Sequence, residues 1–283
     1  MSDAAQAPWI PGDPRGLAPL DPALVRALHP GVVRHDRITQ DAPLHEVFQT
    51  STIAALLDGA YDGDVTFGEL RAHGDLGLGT LQHLDGEMIA LDGEFWQASA
   101  TGRLRQIADD ERTPFAVVCP FAPDVKVTLG APRTHDELLA EIEQHIPESG
   151  TVAVRIDGRF SHVRARSVPA QRRPYLPLAE VAARQVLFEW RDLDATLVGF
   201  RFPQSAAGIE LPGHHLHIIS ADRTRGGHVL AADLARGTLQ VDRVSAMRLE
   251  LPNGVQLPDP PAAGDAAVLE RIEHDPPDTA AAA

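Results

Sequence analysis

Four of the chain's 13 histidines fall within fifteen residues, in the segment Gly213-His214-His215-Leu216-His217-Ile218-Ile219-Ser220-Ala221-Asp222-Arg223-Thr224-Arg225-Gly226-Gly227-His228-Val229-Leu230. Apolar residues at both ends are strand-like, and Asp222 to Gly227 supply turn residues. In a strand, positions i and i+2 share a face, so His215 and His217 point together while His214 points the other way. A hairpin turning between Asp222 and Arg223 sets His228 opposite His217, with Cβ atoms roughly 5 Å apart. Parity thus gathers His215, His217 and His228 on one face at a spacing that one ion can bridge. Three imidazoles without a fourth protein ligand suit Zn²⁺ and leave positions for water or substrate. Structural zinc sites are closed and often use Cys, whereas Cys119 is the chain's single cysteine. A metal held here is therefore expected to be catalytic. Nickel, copper and iron also accept imidazole, so spacing alone leaves the metal open. The plain alternative is a group of strand histidines hydrogen-bonded at a sheet surface.

These histidines belong to an acidic chain. Its 283 residues carry 25 Lys+Arg against 40 Asp+Glu, a formal net charge of −15. Phosphate recognition needs a basic footprint that this balance lacks, so nucleic-acid partners are not expected, nor is docking on anionic membrane. With 43% hydrophobic and 23% charged residues, the chain is globular in character and too apolar for a disordered one. One cysteine excludes a disulfide framework, and no apolar run approaches a membrane span. Met1 to Asp13 lacks the basic start and apolar core of a signal peptide, so a cytoplasmic location is expected.

The elements that must position the histidines alternate irregularly between helix and strand. Residues 1–43 are rich in Pro, Asp and Ala and read as an irregular arm with a short helix around Asp21–Leu28. Thr50-Ser51-Thr52 offers an N-cap to a helix over Ile53–Asp58, which Gly59 can stop. Two near-copies follow, Leu84-Asp85-Gly86-Glu87 and Leu91-Asp92-Gly93-Glu94, and Asp-Gly beside alternating apolar residues signals hairpin turns. Phe115–Cys119 and Lys126–Leu129 read as strands, and Thr134-His135-Asp136-Glu137 as a capping box opening a helix. Thr151–Ile156 and Phe160–Arg166 alternate as strands around an Asp157-Gly158 turn, and Val186–Trp190 can pair with Thr196–Phe202. Leu178–Arg184 reads as helix, His214–Ile219, His228–Ala232 and Arg248–Leu251 as strands, and Asp265–His274 as a last short helix.

The expected fold is α+β, two modules of mixed, mostly antiparallel β-sheet with a few helices and the zinc hairpin in the second. The expected divisions are the arm 1–43, an N-terminal α/β module 44–167, a β-rich metal-binding module 168–260, and a C-terminal helix and tail 261–283 packing back towards the site. An exposed sheet edge would favour a homodimer.

The histidine hairpin and three further phrases resemble the alpha-acetolactate decarboxylase family. The phrases are Thr50-Ser51-Thr52-Ile53 through Tyr61-Asp62-Gly63, Gly77-Leu78-Gly79-Thr80 through Leu84-Asp85-Gly86-Glu87, and Arg166-Ser167-Val168-Pro169-Ala170-Gln171 through Pro174-Tyr175. The resemblance runs from about Val47 to Glu273. It implies decarboxylation of 2-acetolactate, a 2-hydroxy-3-oxo acid, to acetoin and CO₂. It implies His215, His217 and His228 as zinc ligands, Glu87 and Arg166 as catalytic residues, and Thr80 in the same pocket. A C-terminal site glutamate is best matched by Glu273, with Glu270 as the competing assignment.

Such chemistry has physical reasons for these residue types. Losing CO₂ leaves an electron pair beside the ketone, and a Lewis acid stabilises the enediolate's oxygen charge. The ketone makes the substrate its own electron sink, so no organic cofactor is required. Arginine holds a carboxylate bidentately, and stays charged, which suits Arg166. A buried carboxylic acid can protonate one face of the enediolate, a role assigned to Glu273 with Glu87 as hydrogen-bond partner or second acid. Read without the resemblance, Glu87 is an exposed turn charge and Glu273 a solvated helix residue. Three other readings stay open: a zinc-dependent ester hydrolase with Glu87 as general base, an oxygenase with His-x-His strands, and a non-catalytic acid-binding module.

Overall fold

The computed structural model describes residues 30–34, 43–146 and 150–255. The helix expected over Asp21–Leu28, the one over Asp265–His274, and with it Glu270 and Glu273, lie outside the described residues. Within them the protein is mixed α+β and mostly strand, built on two large sheets and a two-stranded ribbon of β3 (Val65–Thr66) and β8 (Arg112–Thr113).

The first sheet has eight strands, in the order β1 (Pro30–Arg34), β15 (Ala246–Leu251), β2 (Glu46–Thr50), β9 (Ala116–Cys119), β4 (Leu76–Thr80), β5 (Glu87–Leu91), β6 (Glu94–Ala98) and β7 (Leu104–Gln106). β15 runs parallel to both of its neighbours, and the remaining pairs are antiparallel. Strands β4, β5 and β9 are buried on both faces, which accounts for their unbroken apolar runs. The Asp92-Gly93 turn joins β5 to β6, with φ of 54° and 78° at its two central residues. That is the twist-matched two-residue turn that the Asp-Gly pair favours. A short helix α1 (Ile53–Leu57) starts at the Thr52 N-cap, whose hydroxyl accepts from the Ala55 amide. Helix α2 (Phe67–Arg71), opened by a Thr66/Glu69 capping box, lays Phe67 and Leu70 on the outer face of this sheet beside Met88 and Phe95.

The second sheet has the order β10 (Val125–Leu129), β14 (Gly226–Val244), β11 (Thr151–Ser167), β12 (Val186–Phe202) and β13 (Gly213–Ser220). β13 also pairs with β14, which closes β11, β12, β13 and β14 into a ring. One face carries Val152, Val154, Ile156, Leu197, Leu216 and Ile218 into a core of its own. Helix α3 (His135–Glu143), which starts at the Thr134/Glu137 capping box, adds Leu138 and Ile142 to it. The opposite face presents Ala153, Val198, Phe200 and Ile219 to the first sheet's Leu78, Ile89 and Val117. Helix α4 (Leu178–Ala182) joins this inter-sheet layer through Leu178 and Val181.

Two expected hairpins are absent. Asp157-Gly158 does not turn: β11 is one strand of 17 residues, paired with β12 and β14 on either side of Gly158. The glycine serves close packing instead, because a Cβ there would lie 2.5 Å from the Arg236 carbonyl oxygen. Val186–Trp190 and Thr196–Phe202 are two halves of the same strand β12 rather than a pair, because both find their ladder on β11. Nor does the division between sheets fall at residue 167. Strands β10 and β11, which precede that residue, belong to the second sheet, and β15, which follows it, lies between β1 and β2 in the first.

Candidate metal centre and substrate cavity

Strand parity and ladder register decide which histidines meet. On β13, Leu216 and Ile218 face the ring's own core while Ile219 faces the first sheet, so His215 and His217 also point into the inter-sheet layer. His217 is the register partner of His228 on β14, and His228 that of Arg166 on β11. Each of the three imidazoles is at most 7% exposed. One ligand nitrogen from each lies within 4.8 Å of the others, with ring centroids 5.2–5.3 Å apart. His214, on the other face, points away and pairs with Glu143 at 2.8 Å.

The charge state suits metal binding. Burial, then the neighbouring His215 and His228, hold His217 well below the usual imidazole range. Its ring is therefore neutral at ordinary pH. Its Nδ1 lies 2.8 Å from the Met88 carbonyl oxygen, to which the Nδ1–H donates. That leaves Nε2 as the lone-pair nitrogen, buried and without a hydrogen-bond partner. A polar atom so placed is costly unless something coordinates it. Three imidazole nitrogens on adjacent strands fit a divalent ion of the imidazole-preferring kind. A second group of possible ligands, His45, Asp124 and Asp242, is spent on internal bonds. His45 Nδ1 sits 2.6 Å from Asp242 Oδ1, and the Ala122 and Arg243 amides donate to Asp242 and Asp124.

The first sheet supplies the facing wall. Glu87 opens β5 opposite Thr80, the last residue of β4, and is only 7% exposed. Its carboxylate oxygens lie 3.7 Å from His217 Nε2 and 3.6 Å from Arg166 Nη1. Gly86 makes the entry to this strand possible, with φ +79° and a hypothetical Cβ 2.5 Å from the Ala98 carbonyl oxygen. The Thr80 hydroxyl donates to the Gly86 carbonyl at 2.7 Å, which ties the turn to the end of β4. The residue that looked like an exposed turn charge is thus buried beside the histidines.

A cavity opens beside these residues. Thr80, Glu87, Arg166, His215 and His228 form its polar pole; Ile53, Leu56, Leu84, Phe115, Val168 and Leu178 form its apolar side. The structure brings together His215, His217, His228, Glu87, Arg166 and Thr80; Glu273 is outside the described residues. Sequence reasoning missed the Met88 carbonyl, which any residue could supply, and the apolar wall, whose side chains come from five separated segments.

Comparison with known proteins decides the family. The sequence profile of alpha-acetolactate decarboxylase matches residues 47–258. The chain belongs to the alpha-acetolactate decarboxylase family. The alpha-acetolactate decarboxylase of Methylococcus capsulatus is 46% identical over 209 residues, 74% of this chain and 80% of that protein. That of Klebsiella aerogenes is 41% identical over 207 residues, 73% of this chain and 80% of its own. The crystal structure of the Bacillus subtilis alpha-acetolactate decarboxylase superposes with a TM-score of 0.77 at 36% identity, covering 81% of this chain and 99% of that one. The decarboxylase fold therefore spans both sheets, with the three-histidine group at the seam between them.

Proposed function

We propose that this cavity carries out the zinc-dependent decarboxylation of 2-acetolactate to acetoin and CO₂. The observation that carries the reading is a buried three-imidazole set beside Arg166 and Glu87 in one cavity of an acetolactate decarboxylase family member. A zinc ion held by His215, His217 and His228 would supply Lewis-acid stabilisation of charge developing on the substrate's oxygens.

The chain's own residues do the rest. Arg166, buried and always charged, binds an anionic oxygen of the substrate and fixes its orientation. When the bond between the carboxyl carbon and C2 breaks, its electron pair stays on C2 and spreads to the adjacent ketone oxygen. Glu87, within reach of both Arg166 and His217, holds the hydroxyl side of that system by hydrogen bonding. Protonation of C2 on one face completes acetoin, and this step is assigned to Glu273, or to Glu270 as the competing residue. The apolar side receives the methyl groups and excludes water. The same reading makes the enzyme a cytoplasmic homodimer without nucleic-acid or membrane partners.

The test is acetoin formation from freshly made racemic 2-acetolactate, with chelator-treated and zinc-restored protein side by side. Rapid acetoin production that chelation abolishes and zinc restores supports the proposal. A folded, zinc-loaded protein that leaves acetolactate untouched contradicts it, and hydrolysis of nitrophenyl esters by that protein would point to the ester hydrolase instead.

A further inference from the structure

Three residues of the cavity's apolar side adjoin a hydrogen-bonded cluster centred on Asp62 and Tyr175. Residues 168–177 connect β11 to α4, and Val168, the first of them, and Leu178, which opens α4, line the wall. A third wall residue, Leu84, belongs to the β4–β5 turn, where His83 and Leu84 both take left-handed backbone angles, φ 64° and 56°. Two consecutive non-glycine residues in that region are costly and persist only where the surroundings hold them.

What holds them is specific. The His83 amide donates to the Tyr61 carbonyl at 2.8 Å, and the Gln171 amide donates to the His83 carbonyl at 2.7 Å. The Tyr175 hydroxyl donates to Asp62 Oδ1 at 2.8 Å and lies 2.5 Å from His83 Nδ1, from which it can accept. Gln82 and Arg173 donate to the same Asp62 carboxylate. The Tyr61 hydroxyl reaches the Leu176 carbonyl at 2.9 Å, and its ring packs 5.2 Å from that of Tyr175. Three chain segments, 61–63, 82–84 and 171–176, are thereby tied at one point, and two of them lead directly into wall residues.

We propose that the Asp62–Tyr175–His83 clasp is a positioning device that fixes the apolar wall and so sets discrimination for the alkyl group on C2 of the substrate. Tyr175 is its central positioning residue, acting through Leu84, Val168 and Leu178. This rests on the decarboxylase reading for its kinetic arm but has a structural arm that does not.

The variant Tyr175→Phe keeps the ring packing and removes both hydroxyl bonds. Asp62→Asn keeps an acceptor for Tyr175 and weakens the Arg173 contact, so it serves as the conservative comparison. Amide hydrogen exchange in Y175F should rise about tenfold or more at residues 82–84 and 171–176, with strands β11 and β14 unchanged. Zinc content should equal that of the wild type. In the kinetic arm, KM for 2-acetolactate should rise about fivefold, as expected for loss of a hydrogen bond or two, with kcat within about twofold. The preference for 2-acetolactate over its C2-ethyl homologue should fall at least about threefold, and D62N should show less than half of each effect. Unchanged exchange at 82–84 and 171–176 would overturn the clasp. Raised exchange with unchanged KM and preference, or a kcat loss at unchanged KM, would overturn its role in discrimination. If wild-type protein turns over neither substrate, the decarboxylase reading fails with the substrate-discrimination claim, and the exchange result still decides whether the clasp holds the wall.

Discussion

The two sheets contribute to the cavity by different physical means. The ring offers strands of 17 and 19 residues, and its functional groups sit on neighbouring rungs. Arg166 faces His228, and His228 faces His217. Their spacing is imposed by the ladder itself, which no single side chain can shift. The eight-stranded sheet offers strands of five residues, and Thr80 and Glu87 stand at the ends of two of them. Their placement rests on a turn in which His83, Leu84 and Gly86 all have positive φ. One pole of the cavity is thus held by register and the other by turn chemistry.

The largest expected effect breaks the register pole. His217→Ala removes a proposed ligand and its bond to Met88, and metal affinity and acetoin formation should each fall by about a thousandfold or more, read by metal analysis and by acetoin assay. Next comes the turn pole. Gly86→Ala places a Cβ against the Ala98 carbonyl in a left-handed conformation, and should lower stability by about 1–3 kcal/mol in denaturant titration. Acetoin formation should drop about a hundredfold through displacement of Glu87, while metal content stays at the wild-type level. Loss of metal in G86A would mean that the poles are not independent.

Thr80→Val should act in the same direction more weakly. It removes one hydrogen bond to Gly86 and should cost about 1 kcal/mol of stability, again without loss of metal.

The smallest effect concerns a tie between the sheets away from the cavity, the His45–Asp242 pair. The hydrogen bond that the His45 ring donates to Asp242, opposed by burial, raises the His45 value above 6.5. The contribution of a histidine so raised is complete below pH 6.5 and is lost as pH rises through the raised folded value. The difference in melting temperature between wild type and His45→Gln should therefore be greatest in mild acid and shrink above neutrality, by a degree or so, about what a part-exposed pair supports. A difference that grew with pH would contradict that sign.

Much of the register pole was legible in the sequence, because strand parity alone groups His215 with His217 and a turn at Asp222–Arg223 brings in His228. The capping boxes at Thr66 and Thr134 and the Asp92-Gly93 turn obey local rules, and the latter two could be read without tertiary information. The burial of Glu87 could not. Leu84-Asp85-Gly86-Glu87 and Leu91-Asp92-Gly93-Glu94 look alike, yet Glu94 is exposed while Glu87 is buried against Arg166 and His217 of the ring; at the second turn the ring meets Asp92 instead, through Arg155. At Asp157-Gly158, pairing with β12 and β14 on both sides makes a continuous strand of a hairpin signal. The wall residues were illegible for a further reason, since apolar side chains in five segments carry no local mark of sharing a cavity.

The central proposal is that the ring would hold the metal while the eight-stranded sheet supplies the carboxylate that works beside it. The most direct test is Glu87→Gln, assayed in one preparation for zinc per chain and for acetoin formation from 2-acetolactate. Full zinc with activity lowered by about a hundredfold or more is the predicted result. Zinc lost together with activity would make Glu87 a ligand, and full zinc with full activity would remove it from the chemistry; either outcome contradicts the division.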